Sequence, residues 1–131
     1  MKKMYYTKKN FFILFAFSVV SIIFNIVFTA YTDKYVLAQT YVVIFQSSML
    51  LSVVYFYRKS HLDKLICFEF IAIHFINLIK SIVLLSVLLF NESRFLVCNV
   101  LGYHINALIS VTLLMVATIR FMSKTSKTGD G

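Results

Sequence analysis

Four long apolar stretches occupy most of this 131-residue chain, and little sequence lies outside them. They run over about residues 10–31, 35–57, 62–90 and 95–122. Each reaches or exceeds the roughly 20 residues that a helix needs to cross a hydrocarbon layer of ~30 Å. A backbone in hydrocarbon has no water to bond, so each stretch is predicted to satisfy itself as an α-helix. The fold class that follows is all-α. The chain reads as a polytopic membrane protein, a single four-helix transmembrane domain over residues 1–131. No length remains for a soluble catalytic module.

Composition agrees: 60% of residues are hydrophobic and 14% charged, against about 45–50% and ~25% in soluble domains. Proline is absent, so no helix is expected to be sharply broken. That speaks against the unwound-helix ion sites of many transporters. The net charge of +8 would suggest nucleic acid in a soluble protein, but its placement points to a membrane surface. Lys2, Lys3, Lys8 and Lys9 precede the first stretch; Arg58, Lys59 and Lys64 separate the second and third; Arg120, Lys124 and Lys127 follow the fourth. The other two connections hold only Lys34 and Arg94, each beside an acid, Asp33 and Glu92. This positive-inside bias predicts a multi-pass protein of the cell membrane with both termini cytoplasmic.

The first stretch exceeds the 7–15 apolar residues of a typical signal peptide, and Phe28-Thr29-Ala30 is a poor cleavage site, so it reads as retained. Tyr5, Tyr6, Phe11, Phe12, Tyr31, Tyr35 and Tyr55–Tyr57 gather where membrane faces are predicted, as an interfacial belt. Cys67 and Cys98 fall in opposite leaflets, too far apart for a disulfide, and read as buried free thiols.

Each stretch carries a line of polar side chains. At 100° per residue, Ser18, Ser21, Asn25 and Thr29 share one face of the first helix. Gln39, Gln46 and Tyr57 share a face of the second with Val43 and Val53. Asn99, Gly102, Tyr103, Asn106, Ser110 and Ala117 align on the fourth, while Glu69, His74, Asn77, Lys80 and Ser81 spread over a broader arc of the third. Lipid offers such groups no partner, so the lines are predicted to face other helices or a water-filled path. Helix–helix adhesion is the plain reading; a path for a solute is the sharper one.

The lines also repeat. Gln39 and Gln46 lie over Asn99 and Asn106 at an offset of 60; Ser18, Ser21 and Asn25 lie over His74, Asn77 and Ser81 at an offset of 56. This predicts two similar hairpins entering from the same side, a parallel repeat.

Lys80 is the costliest residue, about ten residues from Phe90 and so roughly 15 Å of helix from the outer end. A lysine so deep is a functional candidate, a partner for phosphate, carboxylate or a lipid head group; outward snorkelling is the alternative. Glu69 is predicted to pair near the interface with Arg58, Lys59 or Lys64. His74 and His104 fall at similar depth on neighbouring helices, which raises haem or metal ligation. His104, however, points about 140° from the Asn99 face at 100° per residue. No carboxylate supports the pair, so no cofactor and no metal are expected. His74 reads instead as a hydrogen-bonding or proton-sensing group near Asn77 and Lys80. His61-Leu62-Asp63 reads as a solvated connector. With no nucleophile–base pair, glycine-rich phosphate loop or Cys/His cluster, an enzyme is not expected.

The openings Tyr35-Val36-Leu37-Ala38-Gln39 and Phe95-Leu96-Val97-Cys98-Asn99, and the closings Tyr55-Phe56-Tyr57-Arg58-Lys59 and Arg120-Phe121, are similar to those of the GtrA-like family of four-helix membrane proteins. Asn25 and Asn77 match asparagines often found in that family's first and third helices. The chain departs from it in having Asn10-Phe11-Phe12 and Phe68-Glu69-Phe70 where Arg-Phe is usual, and no glycine pair in the first helix. The resemblance implies translocation or presentation of a polyprenyl-linked sugar for cell-surface polysaccharide or teichoic-acid glycosylation, beside a membrane glycosyltransferase. On that reading Gln39, Gln46, Asn77, Asn99 and Asn106 meet sugar hydroxyls, with His74 on the same polar arc, and Lys80 meets phosphate. Two alternatives stand beside it. One is a membrane-embedded binding protein such as a bacteriocin-immunity or phage-exclusion factor. The other is a small proton-coupled transporter working through Glu69 or His74, assembled as a homo-oligomer.

Overall fold

The structure is a computed structural model. It describes the backbone of residues 2–31, 36–59 and 64–127, and side chains over 8–27, 36–58 and 64–124. Asp33, Lys34, Tyr35, His61 and Asp63 lie outside the described residues, as do the side chains of Lys2, Lys3, Tyr5, Tyr6, Thr29, Tyr31, Lys59 and Lys127.

Four helices account for nearly everything described: α1 (Lys2–Tyr31), α2 (Val36–Lys59), α3 (Lys64–Phe90) and α4 (Phe95–Lys127), with a short 3-10 turn, Glu92–Arg94, before α4. All four are long and apolar enough to cross a membrane. None is interrupted, as the lack of proline predicts. α1 and α4 outrun their apolar stretches because the flanking lysine-rich segments contain no helix breaker. α3 stops at Asn91, whose backbone (φ −154°, ψ 69°) leaves the helix. There the Ser93 hydroxyl donates to Asn91 Oδ1 at 2.9 Å, and the Arg94 N–H donates to the Asn91 carbonyl at 3.0 Å.

Contacts set the directions. Phe11 of α1 packs on Phe70 of α3, and Ser21 bonds Asn77 further along, so α1 and α3 run parallel. Phe11 also stacks on Phe121 near the end of α4, ring centroids 4.1 Å apart, so α4 runs against both. α2 opposes α1 through the Phe24–Phe45 stack (3.9 Å) and the Ser21–Gln46 bond. The start of α1 and the end of α4 therefore share one end of the bundle, where Lys8, Lys9, Arg58, Lys64, Arg120 and Lys124 gather. α3 is the hub: it packs on all three neighbours, most extensively on α2 and α4. Among the described residues the backbones of α2 and α4 do not approach each other closely.

Two apolar clusters close the interior. The larger, at the basic end, contains Phe11, Leu14, Val53, Cys67, Phe70, Ile73, Ala117 and Phe121. The smaller, beside the 3-10 turn, contains Leu84, Leu88 and Phe95, with Cys98 against it. The two cysteines are free and belong to opposite clusters. Between the clusters the core turns polar.

Candidate functional site

Hydroxyls in this bundle divide by the direction they face. Thr40, Ser48, Ser52, Ser86 and Thr112, at the periphery, each donate to the carbonyl four residues earlier in their own helix. That bond hides a hydroxyl from lipid without help from another helix. Of the inward-facing groups, Ser21, Gln46, Asn77 and Asn106 bond across helices. Ser21 Oγ donates to Gln46 Oε1 at 3.0 Å, Asn77 Nδ2 donates to Ser21 Oγ at 2.9 Å, and Asn106 Nδ2 donates to Asn77 Oδ1 at 2.6 Å.

One hydrogen-bonded line thus joins α2, α1, α3 and α4 in the middle of the bundle. Ser21, Gln46 and Asn77 have no exposed surface at all. Two further bonds brace it: Asn25 Nδ2 donates to the Ser21 carbonyl at 3.1 Å, and Ser81 Oγ donates to the Asn77 carbonyl at 2.9 Å. Ser21 and Asn77, which the offset of 56 aligns, meet directly.

Not every candidate joins this line. Gln39 and Asn99 are buried about two turns further along α2 and α4, on the side of the 3-10 turn. His74 is fully buried one turn from Asn77 on the opposite side, and neither ring nitrogen has a partner. Lys80 lies apart, half-buried in a groove between α3 and α4 of about 210 Å³. The groove is lined by Lys80, Gly102, Asn106 and Cys98 with apolar walls that include Ile79 and Ile105, themselves exposed on the bundle's outer surface. The lysine stem lies along Gly102: a Cβ there would be in ordinary contact with Lys80 Cγ at 3.6 Å and Cε at 3.7 Å. The ammonium ends 6.0 Å from the centre of the Tyr103 ring, at the edge of cation–π range.

Glu69 departs from expectation. Among the described residues its partner is not Arg58 or Lys64 but Arg120, whose Nε donates to Oε1 at 2.9 Å; the Lys59 side chain lies outside them. Glu69 lies on the flank of α3 that faces α4, whereas Arg58 projects outward from α2. Helical periodicity gave the angle of Glu69 on its own helix but not which neighbour filled that angle. Ser21, the centre of the hydrogen-bonded line, was legible as part of a stripe, but no single-helix pattern marks it as the junction.

The two histidines do not converge. His104 is exposed and lies edge-on to Tyr103, with ring centroids 5.1 Å apart, while His74 faces the core. Among the described residues no group of three or more His, Cys, Asp or Glu side chains is placed to hold a metal ion.

No protein-family model, curated protein or solved structure matches the chain. Function must therefore be argued from these side chains. They offer an uncharged hydrogen-bonding interior and one cation in a groove open on the outer surface of the bundle.

Proposed function

We propose that this chain is a membrane protein that takes the anionic head group of a membrane lipid at the α3–α4 groove. In line with its GtrA-like resemblance, that lipid would be a polyprenyl-phosphate sugar, translocated or presented to a membrane glycosyltransferase. The observation that carries the reading is the setting of Lys80. It lines an apolar groove between α3 and α4 that opens on the outer surface of the bundle, with its stem along Gly102. Such a groove suits a phosphate that arrives with its hydrocarbon chain still in the membrane. Asn106 supplies an amide on the inner wall, for the group beyond the phosphate.

The same reading takes α1–α2 and α3–α4 as a duplicated hairpin with both termini in the cytoplasm. The order of the hydrogen-bonded line supports it: the repeat mates Ser21 and Asn77 meet at the centre, and the mates Gln46 and Asn106 flank them. The basic end then meets the anionic cytoplasmic leaflet.

The test is binding of undecaprenyl phosphate to protein in nanodiscs of neutral lipid. Lys80→Met should lower its affinity at least tenfold while neutral-lipid binding and folding stay unchanged. Equal affinity in the folded variant would remove the basis of the proposal. Transfer of a polyprenyl-linked sugar across liposomes then separates translocation from simple capture.

A second reading is favoured by a different observation. The line through Ser21 ties all four helices at one level, as a rigid intramembrane binding protein requires. Capture without transfer in the liposome assay would favour it. The proton-coupled alternative is weakened at Glu69, whose Oε1 is held by Arg120.

A further inference from the structure

One turn from the hydrogen-bonded line, towards the basic end, the interior offers polar atoms that nothing in the bundle answers. The bonds joining Ser21, Gln46, Asn77 and Asn106 fix the register of the four helices. Ser18 and His74 precede Ser21 and Asn77 by three residues on parallel helices, and Ser110 follows Asn106 by four on an antiparallel one. All three therefore lie about 5 Å along the bundle from the line. Each is 0% exposed. Ser18 Oγ, Ser110 Oγ and both nitrogens of His74 have no hydrogen-bond partner, and neither has Nε2 of Gln46, which belongs to the line on α2.

The two serines are the informative members. A helical serine always has the carbonyl four residues back within reach, and Ser48, Ser52, Ser81 and Ser86 all use it. Ser18 and Ser110 do not, although they are deeper than most of those that do. Helix adhesion does not account for them either, since the line one turn away already joins all four helices.

We propose that Ser18, His74, Ser110 and the amide nitrogen of Gln46 form a binding centre for a small neutral hydroxyl group, which donates and accepts hydrogen bonds at once. The donor–acceptor balance selects this chemistry. Two hydroxyls and a neutral imidazole each offer both functions, and the Gln46 amide nitrogen offers donors only. A cation would face that amide with no carboxylate to hold it. An anion would find no positive charge at this level.

The nearest charged groups lie elsewhere. On α3, Glu69 is held by Arg120 five residues before His74, and Lys80 lies six residues after it in the outer groove. On α1, Lys8 and Lys9 are more than two turns before Ser18; on α2, Arg58 is twelve residues from Gln46; on α4, Arg120 is ten from Ser110 and His104 faces outward. Leu14, Phe70, Ile73 and Ala117 close the centre on the basic side. Two sources supply the chemistry: water, or a hydroxyl of a sugar. This centre is distinct from the Lys80 groove and does not depend on it.

The test is nuclear magnetic resonance of the full chain in nanodiscs, with histidine ring nitrogens labelled and the His74 signals assigned by their loss in His74→Gln. The His74 ring protons should show a cross-peak to a bound hydroxyl. If that peak is to water and persists when ethyl glucoside is added, water is the occupant. If ethyl glucoside replaces it with a peak to its own protons, the centre takes a sugar hydroxyl. In Ser18→Ala/Ser110→Ala the peak should vanish while the His104 signals stay in place. If that variant fails to fold, the wild-type spectra decide alone. No cross-peak to water or glucoside in either sample overturns the proposal, and so does a peak unaffected by loss of both serines.

Discussion

Asn77 is where the interior can be tested most directly. Its side chain donates to Ser21 and accepts from Asn106, so replacing it with leucine removes two interhelical bonds in one step. Side-chain bonds between membrane helices average about 0.6 kcal/mol each, with a maximum near ~1.7. Loss of the two bonds alone therefore costs about 1–3 kcal/mol. Ser21 keeps its bond to Gln46, but Asn106 Nδ2 loses the acceptor shown for it. An amide left unsatisfied adds roughly 1–3 kcal/mol, giving about 2–5 kcal/mol in total after allowance for relaxation. Asn25→Leu is the matched control, because the bond of Asn25 runs to a carbonyl of its own helix and joins nothing else. Its cost should stay below about 1 kcal/mol. Dyes at Phe12→Cys and Met122→Cys, both exposed at the basic end, would report separation of α1 from α4 by loss of energy transfer. The native Cys67 and Cys98 would be replaced by alanine, and sodium dodecyl sulfate raised stepwise in mixed micelles. If Asn77→Leu is no more destabilising than Asn25→Leu, the line is not what holds the helices together.

Three further outcomes follow from the geometry. A double-mutant cycle of Asn77→Leu with Asn106→Leu should return a coupling of roughly 0.6–1.7 kcal/mol in the same unfolding assay, whereas no coupling would mean the 2.6 Å contact carries no energy. Gly102→Ala should be tolerated and stabilise α4 by up to about 1 kcal/mol through helix propensity, because the added methyl only reaches ordinary contact with Lys80; a marked loss of stability would show the lysine more tightly seated than its contacts indicate. Arg120→Gln should destabilise more than Glu69→Gln, by about 1–3 kcal/mol, since it strands a carboxylate only 12% exposed while its counterpart leaves an arginine 37% exposed; the reverse order would refute the asymmetry.

The architecture was readable because hydrocarbon leaves a chain few options. Four apolar runs become four helices, and the angular position of each polar residue follows from the helical repeat. Ser18, Ser21, Asn25, Gln39, Gln46, His74, Asn77, Ser81, Asn99, Asn106 and Ser110, placed on inward lines by that repeat, are all buried. Periodicity stops at the surface of one helix, however. It does not give the rotation or axial register of a neighbour, so it cannot choose Arg120 for Glu69. For the same reason it left Lys80 on the polar arc of α3, although the lysine turns along α4 and out of the central line. The repeat offset of 56 aligns positions on α1 and α3, which run parallel and so share axial levels. It matched Ser21 with Asn77, and those two residues bond.

Adhesion and ligand binding are usually offered as rival accounts of polar stripes in membrane helices, but in this bundle they fall on different layers. α1 approaches its neighbours less closely than α2 and α4 approach α3. Lipid supplies no hydrophobic force to press it in, so its seat depends on specific contacts. Those are the ring stacks of Phe11 and Phe24, and Ser21, whose hydroxyl both donates and accepts. Ser21 has spent its only proton on Gln46 and accepts from Asn77, and Asn77 spends its amide oxygen and a proton on holding α4 and α1. Groups occupied in this way make a joint. One turn below, Ser18, His74 and Ser110 have the opposite character: buried as deeply, on three of the same helices, and wholly uncommitted. Bonded residues hold the uncommitted ones in place, and Gln46 alone serves both layers, its Oε1 in the joint and its Nε2 without a partner, so an occupant can exchange at Ser18, His74 and Ser110 without breaking a bond between helices.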